Sequence, residues 1–487
     1  MSRALRVAVV GAGSAGLAAA QQCSAVARAY GQSIELVVFE RRSSVGGLWQ
    51  YESDPGPCDI HVPERGTAGY ATRPSRDPMC RSAMYEDLRT NIPSPVMQFR
   101  DMPFPHGTAL FPIRAEVLAY LERFAHTQGL FPLIHFDTEV DHAYKAGPCW
   151  RITTRHRRPP HATHTWEVDC IMAAQGRCNV PYVPAIPSLR YFRGRQMHSA
   201  WYRYPNDLHA RRVLIVGNNS SGADIARELC GGAVRSWSSE AGSSAPVCVF
   251  HSYAHVDQPP PMDYDPRDPA SPAWCRNIHV VGPIDHVESD GTLVMQSGEH
   301  LADIDLIIWA TGFMYQAPFL VPTQAPISEA PLVVQDAHTR TAPDVQAASV
   351  LHNLDDWMLF YKADRSLCFL GLPNRIVPFP FTQLQARVAA HVWLRQIPPL
   401  PRVRAHLPVS DPQRWVVETP SEHTARSGPG PDVWGDLTMG AEAEAAYVAA
   451  LQSLLPPSDD PSWAPLPTSW HTMRRQGKAL RREHLGY

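Results

Sequence analysis

No two of the ten cysteines form a C-x-x-C pair. That absence removes the dithiol a disulfide reductase needs, and with it a cysteine zinc site. The scattered spacing also argues against a secreted disulfide framework, so a reducing compartment is expected. No stretch offers eighteen uninterrupted apolar residues, which argues against a spanning helix. The N-terminus passes from Met1 through Arg3 and Arg6 straight into RVAVV, too short an apolar run for a signal peptide. The expected location is cytoplasmic. A formal charge of −3 leaves no basic excess for nucleic acid. His156, His161 and His164 lie among arginines without metal-ligand spacing and read as a solvated hairpin loop, so no metal is expected.

What is present is a long, ordinary globular composition: 487 residues, 44% apolar, too many for one core and enough for two or three domains. Proline, 47 residues in all, clusters at 157–160, 258–272 and 397–408 and marks loops there. Arg6 to Val10 reads as a buried strand, Gly11-Ala12-Gly13-Ser14-Ala15-Gly16 as a turn, Ser14 to Tyr30 as a helix and Glu35 to Glu40 as a second strand. Gly11 permits the tight turn, Gly13 lets backbone approach a pyrophosphate, and Gly16 lets the helix pack closely on the sheet. Glu40, 24 residues after Gly16, stands near the usual place of the acid that bonds ribose hydroxyls. The helix start offers amides and a favourable dipole to phosphates.

A second unit repeats the pattern. Strand Arg212 to Val216 leads into Gly217-Asn218-Asn219-Ser220-Ser221-Gly222, then a helix from Ser221 to Cys230 and a strand from Val247 to Ser252. Asn219 stands at the central glycine position, placing a side chain where backbone should meet phosphate; asparagine tolerates positive φ, which would let the turn survive. Two nucleotide cradles in one α/β chain suggest electrons passing between two nucleotides.

Between the cradles lies YFRGRQMHSAWY, Tyr191 to Tyr202, with Phe192, Gly194 and His198 in an F-x-G-x-x-x-H pattern. With those residues the chain resembles the flavin-containing monooxygenases, most closely the fungal thiol-oxidising and plant S-oxygenating branches, over about Val7 to Leu394. The resemblance implies two nested Rossmann-like dinucleotide-binding domains: a FAD domain at 1–180, an inserted NAD(P)H domain at 181–310, the rest of the FAD domain at 311–400, and a C-terminal extension at 401–487. Strand ends at VDCIMAAQG and at DLIIWATG, which contains Thr311 and Gly312, would mark the crossings. Gly46, Gly47, Leu48 and Trp49 match a stretch that runs beside the flavin, making the first cradle the FAD site. Asn91, in YEDLRTNIPSPVM, would reach the reactive edge of the flavin. His198 would couple nicotinamide binding to the flavin domain.

In the resembled family a reduced nicotinamide passes hydride to FAD, dioxygen adds at the flavin 4a carbon, and a small-molecule sulfur or nitrogen nucleophile attacks the resulting hydroperoxide. The implied cofactors are FAD and NADPH. An arginine usually grips the 2′-phosphate near the end of the strand at Val247 to Ser252, yet none occurs between Trp237 and Arg267. His251 or His255 would be a poor substitute, and NADH is an alternative. Tyr202, four residues after His198, stands where ketone-oxygenating relatives carry tryptophan, which favours heteroatom oxygenation. Baeyer-Villiger chemistry and a non-catalytic regulatory role remain open.

The rest is plainer. Pro55 to Ser82 reads as a surface loop. Arg114 to His126 is a packing helix with Val117, Leu118, Leu121, Phe124 and Ala125 on one face. CFLGLPNRIVPFPFTQLQAR, from Cys368, resembles a stretch that closes over the flavin ring, with Gln383, Gln385 and Arg387 given no chemical role. Ala441 to Leu451 reads as a helix, and the basic run Arg474, Arg475, Lys478, Arg481 and Arg482 as a solvated helix face.

Overall fold

The computed structural model describes residues 3–62, 69–72, 81–231, 247–334, 347–419, 433–434, 436–458 and 460–486. The elements that position the site are, in chain order, β1 (Leu5–Val10), α1 (Ser14–Ala29), β2 (Ile34–Phe39), α2 (Ser94–Met97), α3 (Arg114–Thr127), β3 (Ile134–His135), β4 (Cys170–Ala173), β5 (Val180–Val183), β6 (Arg195–His198), β7 (Arg212–Val216) and α4 (Ser220–Leu229). They continue with β8 (Cys248–Ser252), β9 (Ile278–Val281), β10 (Leu306–Trp309), β11 (Phe313–Gln316), β12 (Leu367–Phe369), α5 (Pro378–Trp393), α6 (Ala441–Ser453) and α7 (Thr468–Leu485).

Two five-stranded parallel sheets organise these elements. The first runs β12-β4-β1-β2-β3 and the second β6-β10-β7-β8-β9. In each, the strand that feeds the glycine turn lies in the middle. Such sheets are covered on both faces, which is why β1, β4, β7 and β10 are apolar runs rather than alternating ones. The chain enters and leaves the second sheet beside an antiparallel pair, β5 with β11, in the register Val180 opposite Met314 and Pro181 opposite Phe313.

The main core gathers around the first sheet. Helix α1 presents Ala18, Ala19 and Ala20 and α5 presents Ala386, Ala389 and Ala390, all buried, and small side chains allow close packing. Residues of the C-terminal stretch, among them Val403, Trp415, Tyr447 and Trp463, join this same core. Tyr447 of α6 stacks on Phe381 of α5 at 4.8 Å. Smaller cores lie within the second unit. Among the described residues no helix is long and apolar enough to cross a membrane.

Two expectations are corrected, and two helix residues left without a role gain a place. The stretch read as a loop at 55–82 contains a hairpin, Asp59–His61 with Gly69–Thr72, which pairs with β5; residues 63–68 and 73–80 lie outside the described residues. Gln383 and Gln385 are buried: Gln383 accepts from the Arg100 amide and donates to Asp101, while Gln385 accepts from the Gly371 amide and donates to Tyr447. Buried amides keep such places because each donor and acceptor finds a partner. The basic helix α7 is solvated only in part. Its Arg481 is 1% exposed and bonds Asp224 and Asp263 at 3.0 and 3.1 Å.

Candidate functional site at the two cradles

The first cradle forms where β1 stops. Gly11 has φ +102, and a Cβ there would lie 2.6 Å from the Ala174 carbonyl oxygen. At Gly16 a Cβ would lie 1.8 Å from the Gly11 carbonyl oxygen, so turn and helix approach as only glycine permits. Gly13 meets the turn of Gly46 and Gly47: a Cβ on Gly47 would fall 2.8 Å from the Gly13 Cα. Helix α1 begins with no side-chain cap, so the first-turn amides of Ser14, Ala15 and Gly16 are available to a phosphate. Glu40 is buried, its carboxylate accepting from the Ala12 amide at 2.6 Å and the Arg42 amide at 2.9 Å. It braces the turn and keeps lone pairs for a hydroxyl. Leu48 is exposed, and Trp49 meets Phe379 edge-on at 6.4 Å.

The second cradle repeats this geometry. Gly217 has φ +103 with its missing Cβ 2.5 Å from the Ala310 carbonyl oxygen, and at Gly222 a Cβ would lie 1.9 Å from the Gly217 carbonyl oxygen. Asn219 corrects an expectation, because it needs no positive φ: its φ of −80 matches the −73 of Gly13. The difference is the side chain, whose Oδ1 accepts from Arg375 Nη2 at 3.0 Å. Helix α4 also lacks a side-chain cap at its start, and Ser220 and Ser221 form its first turn. The Ser220 hydroxyl accepts from Asn91 Nδ2 at 3.0 Å. Asn91 is exposed and belongs to the loop before α2, so one amide joins the two units.

The strand ends differ. Gly11 donates to the Phe39 carbonyl and Gly217 to the Ser252 carbonyl, so Tyr253 occupies the place of Glu40. An acid there would repel a 2′-phosphate, and the second cradle has none. His251 is not a phosphate contact. It lies fully buried under the turn, donates Nε2–H to the Gly217 carbonyl at 3.1 Å, and burial pushes its pKa down to about 4. Neutral and enclosed, it supports the turn. His255 is exposed. Arg267 does reach this end, with its guanidinium 5.4 Å from the Tyr253 ring centre. Four of its five donors are engaged by Asp265 and by the carbonyls of Val256 and Gln258.

His198 sits at the junction. Its Nδ1 accepts from the Ala200 amide at 3.1 Å, which leaves Nε2 to donate to the Gly312 carbonyl at 3.0 Å. Thr311 bonds the Tyr182 carbonyl on β5. The F-x-G part has a steric reason: a Cβ on Gly194 would meet the Phe192 ring at 2.6 Å and the Ile304 carbonyl oxygen at 2.5 Å. Tyr202 is fully buried and donates to Glu228 of α4 at 2.5 Å, with the Glu228 carboxyl pushed up to about 8 by burial. It packs the second unit.

Sequence reasoning missed Arg375, and also the buried cluster of Tyr85, Asp224, Arg227, Asp263 and Arg481 that ties α7 to α4. Apart from Asp224 and Arg227, three residues apart on α4, the partners are far from one another in the chain, which leaves little local signal. Two glycine turns, each feeding an uncapped helix, fit two dinucleotides.

Residues 72–248 match the flavin-binding monooxygenase-like family, and residues 9–86 an NAD(P)-binding Rossmann-like domain. The chain is 30% identical to flavin-containing monooxygenase FMO GS-OX-like 4 of Arabidopsis thaliana, over 81% of this chain and 77% of that one. It is 28% identical to the thiol-specific monooxygenase of Saccharomyces cerevisiae, over 81% and 78% respectively. The match to Arabidopsis thaliana FMO GS-OX5, 31% identical over 65% of this chain, spans 62% of that relative's length. In fold it is similar to S-allyl-L-cysteine S-oxygenase of Allium sativum, with a TM-score of 0.69 and 24% identity over 99% and 94% of the two chains.

Proposed function

The chain belongs to the flavin-containing monooxygenase family, with FAD and NADPH as its cofactors, and from that premise we propose that it oxygenates a sulfur or nitrogen atom of a small molecule. In this reading the first cradle at Gly11 to Gly16, with Glu40 and the turn at Gly47, holds FAD. The second, at Gly217 to Gly222, holds the nicotinamide nucleotide. The chain divides at about 180, 310 and 400 into the two nested domains and the C-terminal extension. The flavin and the nicotinamide supply hydride transfer and oxygen activation, which no amino-acid side chain can provide.

What the chain's own residues contribute is position. The observation that carries the proposal is the bond from Asn91 Nδ2 to Ser220 Oγ, because it sets an uncharged amide from the loop before α2 against the start of α4 in the second cradle. An amide offers fixed donors and acceptors without an ionisable proton, which suits a place where activated oxygen must not be prematurely protonated. Asn91 is the residue we assign to that task. His198 holds β6 to the strand turn at Gly312 and acts by positioning, since its two ring nitrogens are both used within the fold. The names of the yeast and garlic relatives, a thiol-specific monooxygenase and an S-oxygenase, favour sulfur as the target atom.

The test uses the FAD-loaded protein, NADPH and isotopically labelled dioxygen with a thioether, a tertiary amine and a ketone offered separately. One labelled oxygen atom should appear in the sulfoxide or N-oxide for each NADPH consumed. Label in an ester from the ketone alone would replace the proposal with ketone oxygenation. NADPH consumption with no labelled product from any of them would contradict it.

A further inference from the structure

The second cradle presents a gap that the sequence already suggested: no arginine in the strand-end segment, and an Arg267 that turns four of its five donors to its own loop. A dinucleotide nevertheless brings a doubly charged pyrophosphate to the start of α4. An arginine reaches that start from the other unit. Arg375 lies in the loop between β12 and α5, is exposed, and extends Nη2 to the Oδ1 of Asn219, the residue that begins α4. Among the described residues it makes no ion pair, and of its five donors the bond to Asn219 uses one.

The loop is built to hold this side chain. Arg375 has φ +54, a left-handed conformation that a non-glycine residue keeps only where its surroundings impose it. Those surroundings come from the C-terminal extension. The Asn374 amide donates to the Leu437 carbonyl and the Met439 amide donates to the Asn374 carbonyl. Arg474 of α7 donates to the Arg375 carbonyl at 2.9 Å and is itself anchored on the buried Glu444 of α6. Further along, α7 is fastened to α4 through Arg481 and Asp224. One helix therefore grips both the loop that carries Arg375 and the helix whose start it faces.

We propose that Arg375 is the cation that binds the pyrophosphate of the nicotinamide nucleotide, delivered to the second cradle from the flavin-side loop and held in place by α7. Asn219 then has a use that glycine would not: its carbonyl oxygen orients the guanidinium, leaving the remaining donors for phosphate oxygens. The proposal needs the second cradle to hold a nicotinamide dinucleotide, as the proposed function also assumes, and nothing of the oxygen chemistry.

Calorimetric titration of the oxidised, FAD-loaded protein with NADP+ and separately with NAD+ decides it without turnover. Arg375→Gln keeps a donor for Asn219 and loses the charge. It should weaken both nucleotides by the same factor, about tenfold or more, the scale of a lost charge-assisted hydrogen bond. Arg375→Lys should recover part of that loss, and Arg475→Gln, at an exposed arginine of α7, should change neither affinity. Unchanged affinities in Arg375→Gln would overturn the assignment. So would a loss confined to NADP+, which would place the charge at the 2′-phosphate, or a loss in Arg375→Gln accompanied by loss of FAD, which would make the residue structural. A wild-type protein that binds neither nucleotide would overturn the reading of the second cradle along with this proposal.

Discussion

The two cradles are built on one plan and finished differently. Each has a glycine of φ near +100 after its central strand, a second glycine pressed against the first one's carbonyl, and a helix that starts uncapped. Two of their differences bear on what each can hold. The central residue is Gly13 in one, packed on the backbone of Gly47, and Asn219 in the other, bonded to Arg375. The residue after the second strand is Glu40 in one and Tyr253 in the other. The steric frame of a dinucleotide site is thus fixed by backbone contacts. Which dinucleotide it holds is left to a few side chains, several of them brought from elsewhere in the chain.

The strongest way to break the comparison is to fill one cradle at a time. Gly16→Ala and Gly222→Ala each drive a Cβ into a carbonyl oxygen at under 2 Å, a clash that the local backbone must move to relieve. Gly16→Ala should abolish stoichiometric FAD binding, read from flavin absorbance after purification. Gly222→Ala should keep FAD and lose NADP+ binding by calorimetry. If Gly222→Ala instead lost the flavin, the two cradles would not hold the two nucleotides separately.

A smaller effect sharpens the comparison from below. Under the first turn the strand carries Val38, and under the second it carries His251, whose pKa falls from 6.5 to about 4 on burial. A base whose folded pKa is depressed is favoured neutral, so its contribution is intact above pH 6.5 and is lost as the pH falls toward 4. His251→Gln has no such group. Relative to wild type it should gain about 2 kcal/mol of stability between pH 7 and pH 5, from urea unfolding at each pH. A difference that stays constant with pH would show that the ring is not held neutral.

The frame was legible in the sequence because it is local. GAGSAG and GNNSSG each sit between a β-branched strand and a helix, and the last glycine of each presses on a carbonyl five positions earlier. The pairing of Phe192 with Gly194 is local too, and its reason is the ring that fills the space a Cβ would need. What could not be read joins distant residues. Arg375 meets Asn219 from 156 positions away, and Gln383 meets Asp101 from 282. A polar residue on a helix looks solvated until its partner is known, which is why Arg481 reads as surface and Gln383 and Gln385 receive no role from the sequence. Arg481 is held by Asp224 and Asp263, carboxylates 257 and 218 positions away. The place of His251 was unreadable for a related reason, since nothing local distinguishes a histidine facing ligand from one propping a turn.

The most direct test of the account is a stopped-flow absorbance trace. The FAD-loaded protein is reduced with NADPH and mixed with dioxygen in the absence of substrate, for wild type and for Asn91→Ala. The account predicts a flavin species in the wild type that is distinct from both oxidised and reduced flavin, persists for seconds or longer, and is discharged on adding a thioether. It predicts the same species in Asn91→Ala with a lifetime at least tenfold shorter and FAD content unchanged. Reduced flavin that returns to the oxidised form with no such species would contradict the oxygenase reading, and an equal lifetime in Asn91→Ala would remove Asn91 from it.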